Sequence, residues 1–597
     1  MSDIEDCSQE ESKKENVITA KKFIEDLIDI CPEAYDTEKH LNATLRILYK
    51  KHKVSIGKRW LSHAYKELSD ENPARFPKNH PLRYAVIKNA IRSASGIVNI
   101  TVVMPPDRFS CKYNCKFCPN EPGMPRSYLS NEDAVQRAAS VDFETVRQVH
   151  VRFRALEYNG HPLDKIEFRI LGGTFSCYSH GSADTFIRDL YYAANIWNSP
   201  AESTEGQEPR APLSIDKEQE YNTHAQIHVV GLGIETRPDE IDEAEIIRFR
   251  HYGVTRVELG VQHTNDDLLR RVNRGHLVLH SKKAIALLKE YGFKIEIHIM
   301  TDLPGATPEM DKDCYRQVLQ DDPDLIPDYM KDYPCLDVDF TEIKKWKANG
   351  KWKPYAEVDG GRALKDVLIY RQQITPKWVR VNRIQRDFRP ACDSRIGFTS
   401  DTLTSDLANR VLKEAEALGI YCQCIRCCEV RQQAFNADEI KYNIYSFIAS
   451  GAQEYFIAAE VIRPNRNLLL GFIRLRLCKG PLTCFEALGG QTAMIRELHV
   501  YGQVNKVGSK DQKGAQHRGI GRRLLEIAEK IAVKAAYEKM AIIAGVGVRD
   551  YYRKFGYELS DTYMVKELDA SGIHNTINVC LTIGFVAMVL LVLFSHQ

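Results

Sequence analysis

Apolar and polar positions change rhythm several times along this 597-residue chain. From residue 86 to about 410, short apolar runs alternate with stretches of helical period. Gly96 to Val103, Lys165 to Leu171, Ile227 to Ile234, Arg256 to Val261, Lys294 to Met300 and Trp378 to Ile384 read as strands. Helical patterns separate several of them, as in Glu240 to His251 and Ser281 to Tyr291. Alternating β and α units predict an α/β fold with a parallel sheet, open or curled into a barrel. A second rhythm begins near Asp438: Leu468 to Leu477 and Ala493 to Val500 read as strands, Ile520 to Tyr537 as a helix, and Met540 to Val546 as a further strand. Ahead of both, residues 17–85 read as helices with basic punctuation, and residues 1–16 have the Glu, Ser and Lys content of a disordered segment. Ser199 to Glu220, rich in Pro, Ser and Glu, reads as an inserted surface loop. No internal repeat is present.

The end of the chain breaks these patterns. From Ile577 to Phe594 only Asn578 and Thr582 are polar. Eighteen helical residues span roughly 27 Å, close to a bilayer core. Residues 575–597 are therefore expected to form a transmembrane tail anchor. The rest of the chain would face the cytosol from the mitochondrial outer membrane or the endoplasmic reticulum.

The length calls for two or more domains. A net charge of +2 does not announce a nucleic-acid binder, but between Lys344 and Arg395 there are 14 Lys/Arg against 5 Asp/Glu, a density that can neutralise phosphates. The polar start of the chain lacks a secretory leader. Sixteen cysteines are then expected in a reducing compartment, where clustered thiols bind metal more often than they pair.

Three motifs carry chemistry. Cys111-x3-Cys115-x2-Cys118 follows a predicted strand, and three thiolates at this spacing can hold three irons of a 4Fe-4S cluster on one loop. A zinc loop with a remote fourth ligand is the alternative. Gly172, Gly173 and Thr174 follow the next strand, where glycines let the backbone approach a ligand. Gln516 to Gly521 fits the Q/R-x-x-G-x-G/A pattern between a strand and a helix; its amides, with the helix N-terminus, would cradle a pyrophosphate such as that of coenzyme A. Around it stand Glu497 to Val500 and the aromatic run Tyr551 to Tyr557. Finally, Cys422, Cys424 and Cys427, with Cys428 beside them, suit a structural zinc site whose fourth ligand is not evident.

Together these motifs resemble the catalytic third subunit of Elongator and its stand-alone homologues. Further shared stretches are Ala94 to Ile97, Pro119 to Gly123, Pro125 to Tyr128, Asp164-Lys165, Gly233 to Asp239, Val257 to Gln262, Asn273 to His276 and Arg383 to Asp387. The likeness covers roughly residues 85 to 568. Departures are Thr301 to Pro304, Cys335 to Phe340, the 199–220 insertion and the apolar tail. The resemblance implies a radical-SAM partial (β/α) barrel followed by a GNAT acetyltransferase domain. The domains would then be a tRNA-contacting region at 17–85, the radical-SAM domain at 86–410, a cysteine-rich linker at 411–437 and the acetyl-CoA-binding domain at 438–568.

By the same resemblance, the enzyme would make 5-carboxymethyluridine at the wobble position of tRNA. A deoxyadenosyl radical would take hydrogen from the acetyl methyl, the carbon radical would add to uridine C5, and hydrolysis would release the thioester. The implied site places Cys111, Cys115 and Cys118 on the cluster. Gly172, Gly173, Thr174, Glu235, Arg237 and Gln262 would line the S-adenosylmethionine site. Glu497, Leu498, His499, Val500, Ala515, Gln516, His517, Gly519, Gly521 and Tyr552 would bind acetyl-CoA, with Lys165 and Tyr552 as the catalytic pair. Lys88, Arg92, Arg270, Arg271, Arg274 and the 344–395 stretch would hold the anticodon stem-loop. Other Elongator subunits or a homodimer would be the protein partners. A lysine acetyltransferase with a structural iron-sulfur module is the alternative.

Overall fold

Seven strands follow one another across a single parallel sheet in sequence order: β1 (Val98–Val103), β2 (Lys165–Leu171), β3 (His228–Thr236), β4 (Arg256–Gln262), β5 (Lys294–Ile299), β6 (Tyr329–Asp332) and β7 (Arg380–Ile384). The computed structural model describes residues 2–569 apart from 31–34, 36–37, 78–79, 90–92, 94, 107–110, 198–208, 387–405, 432, 434, 481 and 502–518. Arg169 on β2 reaches Glu296 on β5 at 2.8 Å across the concave side, so the sheet is curled into an open barrel.

Alternation along the strands sorts the two faces. Ile100, Val102, Ile166, Phe168, Val257, Leu259, Ile295, Ile297, Met330 and Val381 point outward into the main apolar core, where helices such as His180–Ile196 and Val278–Glu290 cover them. The inward positions are polar and charged: Asn99, Thr101, Glu167, Arg169, Arg256, Glu258, Lys294, His298, Lys331, Arg380 and Asn382.

A second sheet has the order β13-β14-β12-β11-β10-β9-β8. Its strands are β8 (Ile440–Ala449), β9 (Ala452–Val461), β10 (Leu468–Leu477), β11 (Thr492–Val500), β12 (Lys539–Ile542), β13 (Glu558–Ser560) and β14 (Tyr563–Glu567). All its pairings are antiparallel except β11 with β12. The helix Ile520–Lys534 packs Ile520, Leu524, Leu525, Ala528 and Ala532 onto it at helical spacing.

The two units share a buried boundary. Arg496 on β11 donates to Asp328, just before β6, at 2.9 Å and to Glu454 on β9 at 3.0 Å. Arg474 reaches Asp328 at 3.4 Å, and Lys289 reaches Glu454 at 3.3 Å. These side chains are at most 2 % exposed. Gly545 lies so close to the β3 backbone that a Cβ there would overlap Val230 O.

Some expectations change. Residues 1–16 were expected to be disordered, but the helix Ser2–Ile28 runs through them. Its later turns bury Ala20, Phe23, Ile24 and Leu27, and its polar start is rich in Glu, Lys and Gln, all good helix formers. The expected 199–220 loop ends in a helix, Ile215–Asn222, anchored where Glu218 pairs with Arg210 at 2.6 Å; residues 198–208 lie outside the described residues. The helix Leu407–Ala417 crosses the expected boundary at 410 and packs with Leu364 and Leu368 of the first unit. Residues 575–597 also lie outside the described residues, among which no helix is long and apolar enough to cross a membrane.

Candidate active site

The loop after β1 brings Cys111, Cys115 and Cys118 to the C-terminal ends of the strands. They border a small pocket with Gly173, Thr174, Glu235, Arg237, Glu258, Gln262, Arg274 and His298. Cys115 is buried and accepts hydrogen bonds from Arg237 Nη1 at 3.6 Å and Arg274 Nη1 at 3.4 Å. Two guanidiniums thus converge on one sulfur and fix its position in the pocket. Cys111 Sγ lies 3.5 Å from Thr174 Oγ1. Hydrogen bonds from Cys177, then Thr174, hold the Cys111 thiol down at about 5 against the opposing effect of burial. Burial pushes the Cys118 thiol up.

Local backbone geometry explains the glycines. Gly173 has φ +86°, and a Cβ there would stand 2.8 Å from Arg126 O. The loop therefore lies against Pro125 to Tyr128 only because residue 173 has no side chain. Tyr128 in turn donates to Glu235 Oε2 at 2.6 Å. Arg237 lies flat over Tyr113, 3.4 Å from its ring centroid, and is fixed by Asp239 at 2.8 Å.

This pocket joins a cavity of about 1200 Å³ inside the curled sheet; Phe117, Cys118, Ser127, Glu235, Glu258, Gln262 and His298 border both. Residues of all seven strands line the cavity. Its charges are matched. Arg256 pairs with Glu167 at 2.9 Å and Glu296 at 3.4 Å, and Arg169 pairs with Glu258 at 3.5 Å. Lys331 also pairs with Glu258. At the other end, by the N-termini of the strands, the second unit supplies Glu497, His499 and Tyr501. Tyr329 and Arg474 hold the Glu497 carboxylate, the latter at 3.0 Å, and His499 Nε2 lies 3.1 Å from Ser95 O.

The sequence-derived site is thus partly assembled. Gly173, Thr174, Glu235, Arg237 and Gln262 gather at the cysteine pocket, while Gly172, φ +150°, adjoins Met104 and Tyr178. Glu497 and His499 reach the cavity; Leu498 and Val500 pack against the second core. Gly519, φ +71°, starts the helix Ile520–Lys534, and a Cβ on Gly521 would meet Tyr551 Oη at 2.5 Å. Ala515, Gln516 and His517 lie outside the described residues. Tyr552 is buried in the second core and Lys165 opens β2, half-buried; neither lines the cavity.

The expected tRNA groove needs correcting. Arg274 is buried against Cys115 and Gly260 O instead of facing a nucleic acid. Within the basic stretch, Arg371 pairs with Asp332 at 2.9 Å, Lys344 with Asp339 at 2.6 Å, Lys347 with Asp337 at 3.2 Å and Lys365 with Glu414 at 2.8 Å. A count along the chain missed these acids because they lie outside the window. Arg270 is exposed and paired with Asp267; Arg92 lies outside the described residues.

Sequence reading passed over the inward charges, although Lys165-x-Glu167-x-Arg169, Arg256-x-Glu258 and Lys294-x-Glu296-x-His298 alternate with apolar residues, the signature of a strand facing a polar interior. It also passed over Cys177. The thiols of Cys422, Cys424 and Cys427 lie within 4.8 Å of one another. Cys428 is not in that group and donates to Gln423 O at 3.4 Å.

Residues 109–318 match the Radical SAM superfamily. The chain is 36% identical over 492 residues to a tRNA uridine(34) acetyltransferase of Dehalococcoides mccartyi, covering 81% of this chain and 100% of that protein. It is 34% identical to the human Elongator complex protein 3, covering 80% and 85%. A solved structure of the archaeal Methanocaldococcus infernus Elp3, lacking its N-terminus, superposes with a TM-score of 0.66 at 34% identity, over 79% of this chain and all of that one.

Proposed function

The chain belongs to the family of tRNA uridine(34) acetyltransferases and Elongator complex protein 3, and from that premise we propose that it builds 5-carboxymethyluridine from acetyl-CoA inside the curled sheet. It is a radical SAM enzyme of wobble-uridine modification. The observation that carries the finer reading is the shared cavity: one space of about 1200 Å³ is bordered by Cys118 at one end and by Glu497 and His499 at the other.

Cys111, Cys115 and Cys118 suit a 4Fe-4S cluster, because thiols and guanidiniums are already gathered in one pocket. With S-adenosylmethionine bound, that group supplies a one-electron route to a carbon radical. Gly173 lets the backbone close over the cofactor. Glu235, oriented by Tyr128, and Gln262 present polar atoms to it.

The second unit suits acetyl-CoA. β11 and β12 are paired from Thr492–Lys539 to Ile495–Ile542, whereas among the described residues 497–500 pair only with β10. That leaves one backbone edge of 497–500 for a ligand strand such as the pantetheine arm, with Gly519 and Gly521 at the helix start beyond it. Lys165 pairs in register with His228, against which Gly547 packs, so it stands at the junction of the two units, where it would contact the thioester. Tyr552, buried in the second core, would shape the thioester's binding site from the side of the second unit.

Zinc at Cys422, Cys424 and Cys427 would tie the connector between the sheets. The tRNA would bind beside Lys88, Arg270 and Arg271, with other Elongator subunits or a second copy as protein partners. The apolar run 577–594 supports a tail anchor holding the enzyme on the cytosolic face of an organelle membrane; a reporter fused to residues 566–597 that stays soluble would overturn that.

The decisive experiment is anaerobic incubation of reconstituted protein with S-adenosylmethionine, a reductant, acetyl-CoA and tRNA. Mass spectrometry of the nucleosides should find 5-carboxymethyluridine, and Cys115→Ala should abolish it. Lysine acetylation without modified uridine would sink the proposal.

A further inference from the structure

Joining a carbon radical to uridine C5 leaves a problem the cofactor does not solve. The new C–C bond saturates C5 and puts the unpaired electron on C6. Restoring the C5=C6 double bond then requires C5 to lose its hydrogen as a proton while one electron leaves the ring. The electron needs a one-electron acceptor, which the oxidised iron-sulfur cluster of the same site provides. The proton needs a base.

Few groups bordering both the cysteine pocket and the large cavity can accept a proton. Among the described residues they are Glu235, Glu258 and His298. Glu258 is 3 % exposed and is committed to cations: it pairs with Lys331 and, at 3.5 Å, with Arg169. Glu235 accepts from Tyr128 at 2.6 Å. His298 differs. Its Nε2 lies 3.1 Å from Glu258 Oε2. An ionised carboxylate only accepts, so Nε2 carries the proton and donates it, and the neutral ring keeps its lone pair on Nδ1. Among the described residues Nδ1 has no hydrogen-bond partner. The ring is fixed by β5 and by Tyr333, whose edge stands 5.3 Å away, centroid to centroid. The Glu258 carboxylate behind Nε2 therefore fixes the tautomer and the orientation of the ring, the usual role of an acid paired with a proton-accepting histidine.

We propose that His298 is the base that takes the C5 proton of the uridine, with Glu258 as its positioning residue. The step moves the C5 proton to Nδ1 and one electron from the ring to the cluster; His298 then returns the proton to solvent. This inference rests on the carboxymethylation reading above.

The test uses the reconstituted holoenzyme with His298→Gln and Glu258→Gln. In the His298→Gln protein, iron content and the electron paramagnetic resonance signal of the reduced cluster with S-adenosylmethionine should match wild type, and deoxyadenosine should still form. Modified uridine per deoxyadenosine should fall by about a hundredfold, within the usual range for losing a general base. The tRNA should instead accumulate a carboxymethyl adduct with a saturated 5,6 bond, two hydrogens heavier, formed when the assay's reductant gives the C6 radical one electron and solvent supplies the proton. Glu258→Gln should give a smaller loss in the same ratio. A wild-type ratio of uridine product to deoxyadenosine in His298→Gln, with the cluster signal intact, would overturn the proposal. Absence of any uridine product from the wild-type enzyme would instead overturn the carboxymethylation reading.

Discussion

Glu296 shows what the interior demands of a single residue. It is fully buried, yet Arg169 and Asn382 each donate to it at 2.8 Å, and Arg256 and Lys331 stand at 3.4 and 3.8 Å. Burial alone would raise its pKa; Arg169, Lys331 and Arg256 more than reverse that and hold it down at about 2. The folded carboxyl thus binds fewer protons than the unfolded one between the ordinary 4.5 and about 2. Its stabilising contribution is complete above about pH 4.5 and is lost as pH falls through about 2. Glu296→Gln should destabilise the protein at pH 7 by about 3–5 kcal/mol, the usual cost of leaving buried cations without their partner. It should also flatten the loss of stability between about pH 4.5 and pH 2. Urea unfolding across that range would measure both, and an unchanged midpoint at pH 7 would contradict the account. The same matched charges keep a polar cavity folded before any substrate enters it.

At the scale of elements, the connector between the sheets gives a second prediction. Ile425 N donates to Val379 O at 3.0 Å, just before β7, and Val430 N donates to Leu469 O at 3.0 Å on β10. Cys422, Cys424 and Cys427 therefore sit where a metal would pin both units. Purified protein should carry about one zinc per chain beyond its iron, by the logic of closed thiolate sites. Cys424→Ser should lose that zinc and unfold at lower temperature, while cluster absorbance remains; metal analysis and calorimetry would check it. How legible the elements were depended on length and neighbours. β2 and β10 were readable because seven- and ten-residue apolar-rich runs end in turn residues. β6 was not, since Tyr329–Asp332 is four residues long and two of them are charged. β8 was hidden by mixed polarity on its solvent side and β9 by the buried charges Glu454 and Glu460, though Ser450 and Gly451, at φ 46° and 70°, form a recognisable hairpin turn. The cysteine motif was legible because its three thiols lie within eight residues of one another on one loop. The inward charges and the role of Arg274 were not, because their partners come from strands tens to hundreds of residues away.

The molecule as a whole works only if the two sheets stay in fixed relation, because the cavity borrows its wall from both. Asp328 is the hinge of that relation. It lies just before β6, accepts from Arg496 at 2.9 Å and faces Arg474 at 3.4 Å, and its other carboxylate oxygen accepts from the backbone of Ile295 at 2.8 Å. Burial opposes its charge, but Arg496 and then Arg474 keep its pKa well below the ordinary carboxylate range. Asp328→Asn would leave two arginines from β10 and β11 facing each other, with Glu454 and Glu497 as their remaining counter-charges. A loss of about 3–5 kcal/mol is expected. Because the lost charge lies on the boundary and not inside either core, that loss should fall on the docking of the sheets. Calorimetry should then resolve two unfolding transitions in place of one. Uridine modification should fall while deoxyadenosine formation persists, since the cysteine pocket belongs to the first sheet alone. Arg496→Met, which removes a cation and fills its space with an apolar chain, should cost less than Asp328→Asn, because Arg474 still faces Asp328. A single cooperative transition in Asp328→Asn, with wild-type coupling of the two reactions, would mean that the boundary is held by packing at sites such as Gly545 and not by charge.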